Sequence, residues 1–267
     1  MNHIRVPSGR TYEIVSVGQG QPIIFLTGLS LTWKIWKFQI SELSERYRLI
    51  FPQLPGHAGS PCIGQGFTFS DLADDLASII ELYQVEPVNL IGWCMGGNIA
   101  QLFSLRYPEK LKSMILVATT PSNAKLRGIT AKDLLNYANS PMSAYELELQ
   151  NCLIDHPLRD ELGEKYLTIL MESFCKLQYD AVLRYMDNVF RFDTTNLIKN
   201  ITIPSLILSG KYDIGFPPDL VKSLHDHIPG SAYFEFEKSG HLPFITQGEI
   251  FNNKITTFIK QINEKIM

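Results

Sequence analysis

Between Asn89 and Asn98 an apolar strand pattern runs through Gly92-Trp93-Cys94-Met95-Gly96-Gly97 directly into a helical pattern, and few folds tolerate that junction. A chain that turns this sharply from strand to helix holds its middle residue in a strained backbone conformation. The residues two positions to either side must then be small. Gly92 and Gly96 meet that need, and Gly97 lets the helix lie close to neighbouring strands. The turn also sets Cys94 at a helix N-terminus, where the dipole and free N–H groups favour a thiolate. A cysteine in such a turn can equally be a small buried hydrophobe. The rest of the chain therefore has to supply, or fail to supply, the partners of a nucleophile.

The surrounding pattern is that of a mostly parallel sheet covered on both faces. Short apolar or alternating runs at 12–17, 23–26, 48–51, 88–91, 114–118, 205–209 and 233–236 read as strands separated by helical stretches. The first two, joined by Gly18-Gln19-Gly20-Gln21-Pro22, read as a hairpin feeding a buried strand. Ser70 reads as the N-cap of a helix whose Leu72, Leu76, Ile79, Ile80 and Tyr83 share one face. A last helix carries Phe251, Ile255, Phe258, Ile259 and Ile262 on one side. Between Pro121 and the strand at 205 the texture is helical. The expected organisation is a core of 1–122 and 201–267 interrupted by a helical insertion at 123–200.

A thiol nucleophile needs a general base and a group that orients that base. His241 lies in Lys238-Ser239-Gly240-His241-Leu242-Pro243, after the last strand and before the last helix. Asp213 follows directly on the strand at 205–209. In an open α/β sheet the carboxyl ends of parallel strands share one edge, so Cys94, Asp213 and His241 are expected to meet there. The remaining histidines have simpler explanations, with His57 in its Pro-Gly loop read as a rim residue.

On these residues the sequence resembles the α/β-hydrolase fold superfamily, in the group with a helical cap after the sixth strand. Leu54-Pro55-Gly56-His57-Ala58-Gly59-Ser60 is similar to the family's D-L-P-G-H-G-x-S loop, with Gln53 and Ala58 as departures. Phe25-Leu26-Thr27-Gly28-Leu29 stands where the family places its oxyanion loop, with Thr27 in place of the usual His. The second acid position of the family, after the sixth strand, holds Thr119-Thr120-Pro121-Ser122 and no carboxylate. The resemblance implies an eight-stranded, mostly parallel sheet flanked by helices and a Cys94–His241–Asp213 triad. It also implies an oxyanion hole of the Met95 and Leu29 backbone N–H groups. Most members carry Ser at the elbow. With Cys, the elbow is similar to those of polyhydroxyalkanoate synthase-like acyltransferases and of dienelactone hydrolases.

Thiol attack on a thioester exchanges one thioester for another, whereas attack on an amide or ordinary ester climbs to a higher-energy acyl form. The expected activity is therefore acyl transfer or thioester hydrolysis on a hydrophobic acyl group carried by coenzyme A or an acyl carrier protein. The alternatives are an ester or lactone hydrolase and a ligand receptor on a hydrolase scaffold. Leu134, Tyr137, Tyr145, Tyr166, Tyr185 and Phe190 of the insertion, with Trp33 and Trp93, are candidates to line the acyl pocket. No metal or organic cofactor is implied. With 24 basic and 27 acidic side chains, a net charge of −3 and no basic run, nucleic acid is not an expected partner. No apolar stretch reaches the roughly 20 residues of a membrane span, and the first residues lack the apolar core of a signal peptide. Four scattered cysteines without a CxxC pair fit a reducing cytoplasm.

Overall fold

In a computed structural model, residues 2–62, 66–85, 87–125, 132, 135–136, 140 and 168–266 are described. Eight strands form one sheet: β1 (Asn2–Arg5), β2 (Thr11–Val17), β3 (Gln21–Leu26), β4 (Tyr47–Pro52), β5 (Val88–Trp93), β6 (Leu111–Val117), β7 (Ser205–Gly210) and β8 (Ala232–Phe236). Their order is β1-β2-β4-β3-β5-β6-β7-β8. The first two pairings, β1 with β2 and β2 with β4, are antiparallel, and all others are parallel. The hairpin expected between 12–17 and 23–26 is not formed. β4 inserts between those two strands, and β2 pairs instead with β1, a strand that its mixed polar sequence concealed.

β5 and β7 are buried along their whole length, as strands covered on both faces must be. Side-chain alternation splits the core into two layers. Leu90, Met114 and Leu116 face Leu72, Leu76 and Ile80 of α2 (Phe69–Tyr83) and Ile99 and Phe103 of α3 (Met95–Arg106). Ile91, Trp93, Ile115 and Val117 face Leu43 of α1 (Lys37–Leu43) and the C-terminal helix. From that helix, Phe251, Ile255 and Ile259 enter the second layer, each contributing about 1.5–3 kcal/mol by burial.

The N-cap of α2 is Thr68 rather than Ser70. Thr68 is extended, its hydroxyl accepts from Asp71 N–H at 3.1 Å, and Asp71 accepts from Thr68 N–H at 2.7 Å. Ser70 thus falls inside the first turn of a reciprocal capping box. After β6 the chain leaves the sheet and rejoins it at β7. Of the stretch between, the described part includes helical residues at 168–173 and α4 (Tyr179–Arg191). Leu134, Tyr137, Tyr145 and Tyr166 lie outside the described residues. Beyond β7 come α5 (Pro218–His227), a one-turn helix at Pro243–Thr246 and α6 (Gly248–Ile266). No helix among the described residues is long and apolar enough to cross a membrane.

Candidate active site

β5 ends at Trp93 and α3 begins at Met95, leaving Cys94 alone to make the turn. Its backbone sits at φ 54°, ψ −121°, a conformation that costs a residue with a Cβ about 1–3 kcal/mol. Bonds on both sides impose it: Cys94 N–H donates to Val117 O on β6 (3.0 Å), and Gly97 N–H donates to Cys94 O (2.9 Å). The three glycines are required by contact. A Cβ on Gly92 would lie 2.6 Å from Gly96 O, one on Gly96 would strike the Leu26 backbone, and one on Gly97 would press into Thr119. Cys94 is half-buried and is one of three free cysteines among the described residues, with Cys62 and Cys175.

Asp213 follows β7, and His241 lies in the loop after β8, so both reach the sheet edge where β5 ends. The backbones of Gly210 and Gly240 touch there, which draws the acid and histidine loops together. His241 Nδ1–H donates to Asp213 Oδ2 at 2.8 Å, and Phe216 N–H donates to Asp213 Oδ1 at 2.8 Å. Asp213 is 2% exposed, with both carboxylate oxygens engaged. The imidazole is held on two sides, stacked on Phe216 (4.9 Å, 19°) and leaning on Trp93 (5.2 Å, 50°). Burial pulls the His241 pKa down. The charges of Asp213 and of the Cys94 sulfur, then hydrogen bonds to both, outweigh it and hold the imidazolium well above the usual histidine range.

β3 ends beside the elbow, and the loop that follows carries Leu29. Among the described residues, neither Leu29 N–H nor Met95 N–H donates to a protein acceptor. The next peptide is fixed: Ser30 N–H donates to His57 Nε2 (2.9 Å) and Ser30 O accepts from Cys175 N–H (2.8 Å). Gln53, standing where the family has Asp, is buried. It accepts from Trp33 N–H at 3.1 Å and donates to Phe51 O at 3.0 Å. His57 is not a rim residue but 1% exposed, beneath the loop that follows β3.

The acyl-pocket candidates separate. Trp93 is buried: its ring meets Trp36, Phe244 and His241, and its Nε1–H donates to His241 O at 3.0 Å. Tyr185 is likewise committed, wholly buried against His57 and Phe67 and donating to Pro55 O at 2.7 Å. Phe190 on α4 is 41% exposed, Trp33 is half-buried, and Tyr137 lies outside the described residues.

Thr119 and Thr120, at the family's second acid position, receive the Asn98 and Gln101 amides. Asn123 donates to Asn98 Oδ1 (3.0 Å) and to Val189 O on α4 (2.9 Å), and Thr194 donates to Gln101 Oε1 (2.7 Å). This buried network ties the elbow helix to the departing and returning chain. Residue spacing gave no signal for it. Among the described residues no cluster of His, Cys, Asp or Glu could hold a metal ion.

The model of the alpha/beta hydrolase fold family matches residues 21–247. The chain belongs to that family. It is 28% identical to the AB hydrolase superfamily protein YisY of Bacillus subtilis (strain 168), over 96% of this chain and 98% of that protein. It is 25% identical to a pimeloyl-[acyl-carrier protein] methyl ester esterase of Aeromonas hydrophila, over 91% of this chain and 96% of that one. Among solved structures, the esterase EaEST of Exiguobacterium antarcticum superposes with a TM-score of 0.83. That match is 22% identical and covers 97% of this chain and 99% of the esterase.

Proposed function

We propose that this α/β hydrolase works in the cytoplasm through a covalent acyl-Cys94 intermediate. Its acyl donors would be thioesters of hydrophobic acids on coenzyme A or an acyl carrier protein. The observation that carries the reading is a thiol, not a hydroxyl, at a φ 54° elbow on the same sheet edge as a bonded His241–Asp213 pair.

The Cys94 sulfur attacks the acyl carbonyl while its proton resides on His241 Nε2, Nδ1 staying bonded to Asp213. The carbonyl oxygen, now negative, is received by the Met95 and Leu29 N–H groups. The C–S bond of the donor breaks, and the leaving thiolate takes the proton from His241. Water or another acceptor, deprotonated by His241, then attacks acyl-Cys94 and releases the thiol. Exchange of one thioester for another is close to isoenergetic, so a cysteine matches such donors. In this reading residues 123–200 form the cap that roofs the acyl group, with Trp33 at its edge.

A second reading is carboxyl-ester hydrolysis, favoured by the Aeromonas relative named for a methyl ester of a carrier-bound acid. Cys94→Ser separates the two. Under the thioester reading, transfer from acyl thioesters falls at least tenfold while ester hydrolysis survives or improves. Thioester turnover within threefold of wild type in Cys94→Ser would overturn this assignment and favour the ester reading.

A further inference from the structure

We propose that His57 is a positioning residue for the oxyanion hole: its neutral imidazole latches the Ser30 peptide and so sets the direction of the adjacent Leu29 N–H. The proposal rests on the reading of Leu29 as an oxyanion donor. Ser30 N–H donates to His57 Nε2 at 2.9 Å, which requires the proton on Nδ1. Ser30 adopts φ 58°, a left-handed conformation that costs a non-glycine residue about 1–2 kcal/mol unless its surroundings impose it.

The peptide between Leu29 and Ser30 is a rigid plane. Pinning Ser30 N–H therefore fixes the Leu29 Cα and carbonyl, leaving only Leu29 φ and ψ between that fixed plane and the donor N–H. Released from the latch, Ser30 would relax toward negative φ and rotate that plane. Ser30 O is held from the opposite side by Cys175 N–H, and Leu31 bridges Phe174, so the loop is clamped between the Pro-Gly-His turn and the returning insertion.

His57 is itself rigidly built. Its N–H donates to Leu54 O (2.9 Å), its carbonyl accepts from Ser60 N–H (2.9 Å), and its ring stands edge-on to Tyr185 (5.4 Å, 76°). Burial, against the smaller opposing effect of the Pro55 and Leu54 carbonyls, lowers its pKa to about 4, so Nε2 stays an acceptor throughout the neutral range.

Two measurements test this. The first is the scalar coupling across the Ser30 N–H···Nε2 His57 hydrogen bond, read by NMR in uniformly 15N-labelled protein. The second is the rate of Cys94 acylation by octanoyl-coenzyme A, chosen as a hydrophobic thioester, in wild type, His57→Phe and His57→Gln. Iodoacetamide alkylation of Cys94, which needs no oxyanion hole, reports whether the thiol site is intact. A visible coupling, a drop of about 10–100-fold in the maximal acylation rate of His57→Phe with half-saturation within twofold, and unchanged alkylation are expected. Gln offers an acceptor near the Nε2 position and should restore the rate to within about fivefold. An absent coupling, or His57→Phe acylating within threefold of wild type, overturns the latch while the acyl-enzyme reading stands. A visible coupling with no acylation of wild type overturns the acyl-enzyme reading and, with it, the oxyanion role of the latch.

Discussion

Replacing Asp213 by Asn tests the site through a constraint specific to this geometry. Asp213 Oδ1 accepts from Phe216 N–H at 2.8 Å, and Oδ2 accepts from His241 Nδ1 at 2.8 Å. An asparagine must keep its oxygen toward Phe216, because the reverse orientation sets two donors face to face. Its NH2 then points at Nδ1, which has to accept, and the imidazole proton moves to Nε2. There it blocks transfer from the Cys94 thiol. Loss of a charge-assisted hydrogen bond costs about 1.5–3 kcal/mol, which is about 10–150-fold in rate, and the wrong tautomer adds to it. The expected outcome is a fall of about 10²–10⁴-fold in kcat/KM, carried by kcat, with KM within about threefold. Release of coenzyme A from acyl-coenzyme A donors, followed with a thiol reagent, measures it, and circular dichroism confirms the fold. A folded Asp213→Asn variant within fivefold of wild-type kcat/KM would mean that the Asp213 carboxylate does not set the His241 tautomer for catalysis.

Gly96→Ala sets a methyl group against the backbone of β3, which cannot move without opening the sheet. We expect a loss of about 2–3 kcal/mol in urea unfolding, together with loss of Cys94 acylation. Ala58→Gly relieves an alanine at φ 46° and should raise stability by about 0.5–1 kcal/mol after the entropy of the added glycine is subtracted. Cys94→Ser removes one of the charges that raise His241, so the imidazole titration followed by NMR should move to lower pH. Because the folded His241 value is raised, its ion pair with Asp213 stabilises the fold fully below pH about 6.5. That stabilisation is lost as pH climbs through the folded value. Wild-type urea midpoints should therefore decline on the alkaline side more steeply than those of Asp213→Asn.

Local chemistry was legible where one residue type decides it. Gly92, Gly96 and Gly97 announced the elbow because only glycine fits there, and Asp213 and His241 followed from strand ends on one edge. The sheet order was less accessible, since 12–17 and 23–26 are adjacent in sequence yet separated by β4, a pairing decided by register across the whole sheet. The N-cap slipped by two residues because Thr68 and Ser70 are chemically alike and only backbone conformation distinguishes them. Rings were the least legible. Trp93 and Tyr185 are large rings of the kind that line a pocket, and only the three-dimensional packing shows that each is buried and donates to a backbone carbonyl. His57 was misplaced for the same reason, its meaning fixed by Ser30, twenty-seven positions away.

Intact mass shows whether Cys94 carries the acyl group. Wild type and Cys94→Ala are mixed with a panel of acyl thioesters, and any adduct is mapped by peptide digestion. An acyl-sized mass increase is expected on wild type alone, at Cys94, and its decay in water compared with amines or alcohols tells hydrolysis from transfer. An adduct of equal yield on Cys94→Ala, or wild type that releases no thiol and gains no mass across the panel, would contradict acylation at Cys94.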